Sequence, residues 1–501
     1  ILSYQEGTEN DHNFILEKRD ADGNKVTKYY KTDIHFQKLA TSANISWDVS
    51  EKGQPQSVTF KILDGKENTF RYSYGDNGKV YKERQTSLPQ QDLIKADFIE
   101  VNFISDAYNH YANGGAVNNA GEINKIKGDF IANYAQNTAD SVYGGAIYNS
   151  SQIKEIEGNF IANNIKGRGG IFGNAVYNRG TIDKITGDFV ANYGFDLRPS
   201  GKFTTNSGGT LYNEGTIKSI TGNFIANNSQ TTQSQSNGSA IVNWKTIGDI
   251  NGDFIANQTI TDVSVSWGGA IVNVEASNSS NYATIGNITG NFIGNFTKGG
   301  LSASGGAIYN AHSNIGNIAG NFIGNDVQSS DSYFSAAGGA VYNVSTSTIT
   351  GIKGDFYGNY IDNTVGSGYG GAIYNSATIN TVSGNFLSNY IHAAINSRGG
   401  AVYNSKNMIF ASNSNTYFFS DNYTKNNNFG KLYNAVYATQ SATTTFDTTG
   451  GGVWVINDNI EGGNYVFKGN DAIDTATGTT TQYVAINNDI VNAAEVTVDG
   501  T

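Results

Sequence analysis

The chain lacks cysteine and has only 3 proline residues and 1 methionine among its 501 residues. The absence of cysteine excludes disulfide bonds, cysteine-ligated zinc, iron–sulfur clusters and thiol catalysis. Three prolines exclude collagen and polyproline architectures. Charged residues make up 15% of the chain and the formal net charge is −11. This balance argues against a nucleic-acid binder, because phosphate contacts require clustered Lys and Arg.

Long hydrophobic runs are also missing. No apolar run approaches the ~18 residues that a membrane-spanning helix needs, and the start of the chain, Ile1–Glu6, lacks the basic and apolar segments of a signal peptide. We therefore expect either a cytosolic chain or a mature secreted fragment whose targeting segments lie outside this sequence. The absence of cysteine favours the second, since such a chain crosses an oxidising periplasm without being cross-linked.

The charge distribution divides the chain into zones. Residues 1–95 carry 14 basic and 14 acidic residues. Residues 96–501, a segment about four times as long, carry only 18 basic and 29 acidic residues. We predict an N-terminal β domain or cap over 1–95 and a β-helix repeat array over 96–440. Alternating Val, Ile and Asn predict a β-helix extension over 441–501.

Two hairpins are predicted in the N-terminal zone, because Gly and Asn interrupt runs rich in β-branched and aromatic residues. The first joins Phe14–Lys18 to Val26–Lys31, and the second joins Thr69–Tyr74 to Lys79–Lys82.

A repeated pair of motifs dominates the array. Each unit begins with Gly-Gly-Ala-aliphatic-aromatic-Asn, and about eleven residues later comes Gly-Asn/Asp-Phe-aliphatic-x-Asn. The first motif is strict at Gly144–Asn149, Gly305–Asn310, Gly338–Asn343, Gly370–Asn375 and Gly399–Asn404. The phenylalanines of the second motif are Phe130, Phe160, Phe189, Phe224, Phe254, Phe292, Phe322, Phe356, Phe386 and Phe419.

The repeat predicts the fold. Each unit has three short apolar segments with no helical period, and a lone unit cannot bury its apolar face except against the next copy. Three strands per turn, paired in parallel with the turns above and below, form a right-handed parallel β-helix of about ten ~30-residue coils, spaced ~4.8 Å apart. A propeller of similar period requires four strands per unit and is disfavoured.

Recurrent positions predict columns of identical side chains. The phenylalanines are expected to stack inside the coils, with a corner or bulge directly after them. The Asn that ends each motif is expected to form an amide ladder, and the glycine pairs are expected at corners with positive φ. The residue before each Phe alternates so that no Asp follows another Asp, because stacked carboxylates repel. The Tyr before the first Asn is either a packing residue or part of an exposed binding stripe.

Motifs for catalysis and metal binding are not found. The five His residues are scattered, and the sequence has no His-Glu-x-x-His, no Gly-x-Ser-x-Gly elbow and no phosphate-binding loop followed by a helix. The calcium-binding Gly-Gly-x-Gly-x-Asp repeat is absent as well. We expect a protein that is not an enzyme and that has no catalytic residue, cofactor or metal ligand.

Longer repeats predict surface loops. Three steps between phenylalanines exceed the regular length, which places insertions at Tyr193–Ser207, Val274–Ala283 and Asp326–Ala337. Aromatic and Arg side chains on loops of a rigid scaffold are typical of recognition sites, although the insertions can also fold back onto the coils. The candidate partner-binding residues are Tyr193, Phe195, Arg198, Tyr282, Tyr333 and Phe334.

The two motifs together, Gly-Gly-Ala-Ile/Val and Phe-x-x-Asn, resemble the repeats of chlamydial polymorphic outer membrane proteins over roughly residues 112–422. These are autotransporters, whose secreted passengers are tethered by a C-terminal barrel. The chain departs from them in its Tyr-Asn after the first motif and in its lack of cysteine.

The resemblance implies a virulence-associated adhesin passenger on the surface of a Gram-negative bacterium, anchored in the outer membrane through a barrel outside this chain. Its expected partners are a host-cell receptor or glycan, or the same protein on neighbouring cells, with no nucleic acid. The alternatives are a surface polysaccharide-degrading enzyme on a β-helix and a structural surface filament component.

Overall fold

The computed structural model describes strands 2–4, 14–19, 25–30, 46–49, 55–62 and 66–71, followed by residues 93–95, 98–99, 101–105, 111–196, 207–232, 235–275, 282–331, 334–426, 430–469 and 482–499. All regular secondary structure in these residues is β-strand. The chain forms two compact units, the N-terminal unit Ile1–Ser264 and the C-terminal unit Val265–Thr501.

The first predicted hairpin is confirmed. Strand Phe14–Arg19 pairs in antiparallel fashion with Lys25–Tyr30, and Leu2–Tyr4 pairs with the outer edge of Phe14–Arg19. The Asp-Gly-Asn sequence between the two longer strands supplies the residues that tight turns favour.

The second hairpin differs from the prediction. Strand Lys66–Arg71 pairs with Pro55–Ile62, which also pairs with Ser46–Val49. The predicted partner Lys79–Lys82 lies outside the described residues. The strand Pro55–Ile62 was not predicted, and its Pro is compatible with the pairing because it is the first residue of the strand.

From Ile94 onward the chain winds into parallel coils. One coil contains, in order, the short strand Val142–Tyr143, the tyrosine strand Ile147–Asn149, the isoleucine strand Gln152–Glu157, the phenylalanine strand Phe160–Ile161 and the four-residue strand Asn164–Gly167. Each pairs in parallel with the corresponding strand of the next coil. The predicted parallel β-helix is therefore confirmed. Each coil has two strands more than expected, because the four-residue and short strands contain polar residues and glycine.

The N-terminal unit repeats this set. Its isoleucine strands are Ile94–Lys95, Glu122–Lys127, Gln152–Glu157, Thr181–Thr186, Thr216–Thr221 and Thr246–Asn251, and its phenylalanine strands are Phe98–Ile99, Phe130–Ile131, Phe160–Ile161, Phe189–Val190, Phe224–Ile225 and Phe254–Ile255. Its four-residue strands are Asn102–Ser105, Tyr134–Asn137, Asn164–Gly167, Tyr193–Asp196, Asn228–Thr231 and Gln258–Thr261. Its short strands are Ala112–Asn113, Val142–Tyr143, Ile171–Phe172, Ser207–Gly208 and Ser236–Asn237, and its tyrosine strands are Val117–Asn119, Ile147–Asn149, Val176–Asn178, Leu211–Asn213 and Ile241–Asn243.

The C-terminal unit has the same order. Its short strands are Val265–Trp267, Ser302–Ser304, Ser335–Ala337, Ser367–Tyr369 and Ser397–Arg398, and its tyrosine strands are Ile271–Val274, Ile308–Ala311, Val341–Val344, Ile373–Asn375 and Val402–Asn404. Its isoleucine strands are Ala283–Ile285 with Ile288–Thr289, Ser313–Ala319, Thr348–Lys353, Thr378–Ser383 and Met408–Ala411. Its phenylalanine strands are Phe292–Ile293, Phe322–Ile323, Phe356–Tyr357, Phe386–Leu387 and Thr416–Ser420, and its four-residue strands are Phe296–Gly299, Asp326–Ser329, Tyr360–Asn363, Tyr390–Ala393 and Tyr423–Lys425. Parallel pairing continues through Lys431–Asp447, Gly452–Ile456, Asn459–Lys468, Gln482–Ile486, Ile490–Val491 and Glu495–Asp499.

Stacked phenylalanine rings form the centre of each unit. Phe189 is fully buried, with ring centroids 4.6 Å from Phe160 and 4.6 Å from Phe224 and interplanar angles of 6° and 2°. In the C-terminal unit Phe356 stacks in the same way on Phe322 and Phe386, at 4.7 and 4.6 Å. The predicted inward column is thus confirmed within each unit.

A left-handed residue makes the corner that was expected after each phenylalanine. In the N-terminal unit this residue is alanine at φ 53–55°, at Ala132, Ala162, Ala191, Ala226 and Ala256. Left-handed backbone costs a residue with a Cβ roughly 1–2 kcal/mol. The cost is offset by the asparagine that follows each alanine, whose side chain makes a full set of hydrogen bonds.

The asparagine ladders are confirmed within each unit. Asn192 is fully buried, and its Nδ2 donates to Oδ1 of Asn227 (2.9 Å) and to the carbonyl oxygen of Phe160 (2.9 Å). Its Oδ1 accepts hydrogen bonds from the backbone N and the Nδ2 of Asn163, both at 2.9 Å. The Asn at the end of the first motif forms a second ladder, as from Asn149 to Asn178 at 2.8 Å. The side-chain oxygen and the amide nitrogen of Asn192 are therefore both satisfied by neighbouring coils.

The alternation of Asp and Asn before the phenylalanines has a direct cause. Oδ1 of Asp129 accepts hydrogen bonds from the backbone N (2.7 Å) and the Nδ2 (3.1 Å) of Asn159. Oδ1 of Asp188 accepts the same pair from Asn223, at 2.7 and 3.0 Å. An Asp in place of either Asn would bring two carboxylates into contact, which confirms the expected stacking and explains why an amide follows each of these carboxylates.

In the C-terminal unit the asparagine ladder ends on a carboxylate. The backbone N and Nδ2 of Asn422 donate to Oδ2 of Asp458, at 2.9 and 2.8 Å. Asp458 is 1% exposed. Burial raises the pKa of the Asp458 carboxyl above its ordinary value, although the two hydrogen bonds from Asn422 act in the opposite direction.

We expect Asp458→Asn to stabilise the C-terminal unit at neutral pH. Because the pKa of Asp458 is higher in the folded than in the unfolded chain, the folded state binds more protons between these two values, and stability rises as pH falls through that window. An amide removes the buried charge and this pH dependence. Thermal unfolding at pH 7 should show an increase in Tm of about 2–4 °C, which corresponds to ~1 kcal/mol, and a smaller difference at pH 4.

The matched control is Asp489→Asn, since Asp489 is an exposed carboxylate of the same unit. It should leave Tm nearly unchanged at both pH values. A lower Tm for Asp458→Asn than for the parent at pH 7 contradicts the prediction.

Candidate functional site

Two of the predicted loop residues do not lie in a loop. Tyr193 and Phe195 belong to the four-residue strand Tyr193–Asp196 and are 1% and 4% exposed. The Oη of Tyr193 donates to Oε1 of Gln230 in the next coil (2.9 Å). The prediction that the insertion begins at Tyr193 is therefore wrong. The four-residue strand that contains Tyr193 belongs to neither of the two sequence motifs.

The other four candidates are distributed along the chain. Arg198 and Tyr333 lie outside the described residues. Tyr282 and Phe334 are 46% and 52% exposed, but they lie at different corners: Tyr282 precedes an isoleucine strand and Phe334 precedes a short strand. In chain order the first and third insertions fall between a four-residue strand and a short strand, whereas the second falls between a tyrosine strand and an isoleucine strand.

Phe334 belongs to a row of exposed apolar side chains that the sequence analysis missed. The connection from the four-residue strand to the short strand holds Leu301, Phe334, Val365 and Ile395 in successive coils of the C-terminal unit. Phe334, Val365 and Ile395 are 52%, 40% and 52% exposed, and Leu301 is half-buried. We call these four residues the apolar row.

Hydrogen bonds between coils hold the apolar row in line. The backbone N of Ile395 donates to the carbonyl oxygen of Gly366 (2.9 Å), which adjoins Val365. Nδ2 of Asn363 donates to the carbonyl oxygen of Phe334 (3.4 Å). Oγ of Ser329 donates to the carbonyl oxygen of Leu301 (2.9 Å). Backbone one coil apart is thus tied together, and the four side chains emerge along one corner.

The same connection is mostly polar in the N-terminal unit. Its exposed residues among those described are Thr138, Arg168, Asp262 and Val263. An isolated exposed apolar residue such as Val263 is normal for a protein surface. In the C-terminal unit, by contrast, four successive coils each hold an apolar residue in this connection, beside the exposed polar residues Ser330, Thr364 and Asn396. Exposed apolar residues that recur in neighbouring coils are typical of interaction surfaces.

The tyrosine column packs against itself. In the C-terminal unit Tyr342 stacks on Tyr309 at 5.2 Å and on Tyr374 at 4.8 Å, and Tyr403 stacks on Tyr374 at 4.9 Å. Burial raises the pKa of Tyr403 to about 12. The neighbouring rings occupy both faces of each internal ring, so a sugar has no free face to stack on. The packing interpretation is favoured for this column.

A small group of titratable side chains lies on the four-residue strands. Nδ1 of His392 is 3.3 Å from Oδ1 of Asp362, and the Oη of Tyr360 contacts the carboxylate of Asp326. Burial and Asp326 raise the pKa of the Tyr360 phenol well above its ordinary value, so it remains a donor at neutral pH. These contacts join adjacent coils, and they stabilise the stacking.

The chain was compared with protein families, curated proteins and solved structures. No family model matches the chain, no curated protein matches it, and no solved structure matches it. Within the described residues no three His, Asp or Glu side chains are grouped so as to hold a metal ion. The described part of the chain also contains no helix with the length and hydropathy needed to cross a membrane.

Proposed function

We propose that this chain is the passenger of an autotransporter-type surface protein and that it acts as an adhesin. The repeated Gly-Gly-Ala-aliphatic and Phe-x-x-Asn motifs support the autotransporter part, through their resemblance to chlamydial polymorphic outer membrane proteins. The β-solenoid is consistent with a passenger or surface protein. The proposed partners are a host-cell surface molecule or the same protein on a neighbouring cell.

The apolar row is the observation that carries the adhesive role. Within each unit the phenylalanine column is packed, and the amide ladders are hydrogen-bonded, between neighbouring coils. Folding therefore does not require exposed Phe, Val and Ile side chains at one corner. Full burial of an exposed apolar side chain of this size contributes ~1.5–3 kcal/mol, and about half of that remains to be gained here because each side chain is 40–52% exposed. A partner that covers the row would gain that energy in several coils at once.

The adhesive function is tested with a triple variant, Phe334→Ser/Val365→Ser/Ile395→Ser. Beads coated with purified protein are counted on epithelial cells, and bacteria that display the protein are assayed for aggregation. We expect about a tenfold loss in at least one assay, which corresponds to ~1.4 kcal/mol per bound site. Circular dichroism should remain that of the parent, because the three side chains are exposed.

The control is Val496→Ser/Val498→Ser, since both residues are exposed and lie on the strand Glu495–Asp499, outside the connection that holds the apolar row. It should adhere like the parent. Unchanged adhesion and aggregation by the triple variant would exclude the row as the adhesive surface. Absence of adhesion by the parent, together with ordered filaments of the purified protein, would instead favour the structural filament component.

A further inference from the structure

A groove with several polar side chains opens on the surface of the C-terminal unit, along residues 377–380, 405–409 and 441. It has a volume of about 560 Å³ and is lined by Thr378, Asn380, Ser405, Lys406, Asn407, Ile409 and Ser441, above the backbone of Ala377 and Ile379. This volume falls within the ~300–1,000 Å³ of small-molecule sites.

A change in strand register lies beside the groove. Elsewhere two core residues of an isoleucine strand are three positions apart and pair with residues of the same spacing, as Ile349 and Ile352 pair with Ile379 and Val382. In the next coil Ile379 pairs with Met408, but Val382 pairs with Phe410, only two positions later. Asn380, which lines the groove, lies within the irregular part of this pairing. Irregular pairing of this kind re-aims side chains and is enriched beside functional sites.

The lining chemistry selects the ligand. Three hydroxyls and two carboxamides offer both donors and acceptors, which suits a ligand rich in hydroxyl groups. Lys406 is exposed, and the described residues provide it with no carboxylate partner. Lysines of the N-terminal unit contrast with it: Nζ of Lys125 is 3.0 Å from Glu155, and Nζ of Lys218 is 2.8 Å from Asp183. No carboxylate lines the groove, so its local charge is positive.

We propose that this groove binds an oligosaccharide that carries a carboxylate. The carboxylate of the sugar pairs with the ammonium of Lys406, while the hydroxyls and amides of Thr378, Asn380 and Ser441 bond to its hydroxyl groups. Ile409 offers the apolar contact for a face of the sugar ring. This inference rests on the proposed adhesive function and deepens it by naming an acidic glycan as the ligand class.

Binding is measured by calorimetry with purified full-length chain and two pairs of probes: 3′-sialyllactose against lactose, and trigalacturonic acid against maltotriose. We expect the parent to bind at least one acidic probe at least tenfold more tightly than its neutral counterpart. Lys406→Ala should remove this preference, and Ser441→Tyr should weaken binding by filling the groove. The control Lys353→Ala should bind like the parent, because Lys353 is exposed on a neighbouring isoleucine strand but lies outside the groove.

Equal binding of acidic and neutral probes by the parent, or unchanged binding by both groove variants, overturns the inference. The variants are also tested for cell adhesion, which separates the two proposals. If the parent adheres to cells but binds no acidic probe, the proposed adhesive function is retained and the proposed glycan site is refuted. A parent that binds an acidic probe through Lys406 without adhering to cells retains the groove and overturns the adhesive function.

Discussion

Phe189→Ala should lower the free energy of unfolding of the N-terminal unit by about 3–5 kcal/mol, as for other buried phenylalanines. Phe189 is 0% exposed and stacks on rings at 4.6 Å on both sides. The substitution removes two ring contacts and leaves a cavity that the paired strands above and below prevent from collapsing. Denaturant unfolding followed by tyrosine fluorescence and circular dichroism measures the effect.

The damage should remain local, because a coil contacts mainly its nearest neighbours. Hydrogen exchange should increase in the coils around Phe160, Phe189 and Phe224 and stay at the parent level near Phe98. Val263→Ala serves as the control, since Val263 is 40% exposed, and it should change stability by less than ~0.5 kcal/mol. An unfolding curve of Phe189→Ala that superimposes on the parent curve would refute the role of the column.

Asn192→Asp should be at least as damaging at neutral pH, although it changes one atom. The carboxylate retains the oxygen that accepts from Asn163, but it replaces the Nδ2 that donates to Asn227 Oδ1 and to the Phe160 carbonyl. The new oxygen then faces two acceptors inside a fully buried site, where an unpaired charge costs about 3–5 kcal/mol. Thermal unfolding at pH 7 should show a large decrease in Tm.

The loss should become smaller on acidification. The buried carboxylate has a raised pKa in the folded chain, so its protonated form is favoured there, and the protonated group restores one donor. Asn251→Asp is the control, because Asn251 is exposed on an isoleucine strand of the same unit. If the two variants have the same Tm at pH 7, the ladder does not contribute as described.

The sequence predicts the coil architecture well, because each columnar position recurs with the same residue type. Phe, Asn and Gly recur at positions that stack directly on one another. The residue at such a position in one coil therefore predicts which residue it contacts in the next coil. The Asp–Asn alternation was also predictable from the sequence, since the side chains of Asn159 and Asp129 contact each other when the coils stack. The agreement therefore depends on repetition rather than on local strand propensity.

The candidate site was less predictable. The apolar row arises from Val365 and Ile395 in connections of regular length, where no insertion drew attention to them. The groove beside Lys406 adjoins a one-residue difference between paired strands, and the sequence carries no signal for pairing register at Met408–Ala411. Tyr193 was placed in a loop because the four-residue strands have no recurrent residue type that marks them in the sequence. These features depend on residues that differ from one coil to the next. A repeat motif describes only the positions that the coils share, so it does not predict them.

The amide ladder of the C-terminal unit has a direction. From Asn295 through Asn325, Asn359, Asn389 and Asn422, each Nδ2 donates to the side-chain oxygen of the following coil, at 2.8–2.9 Å. Side-chain amide dipoles aligned head to tail polarise one another, and together they place a partial positive charge at the end toward which the donors point. Asp458, an anion that only accepts, occupies that end. A carboxylate is therefore compatible with the C-terminal end of such a ladder, whereas the N-terminal end favours a group that donates.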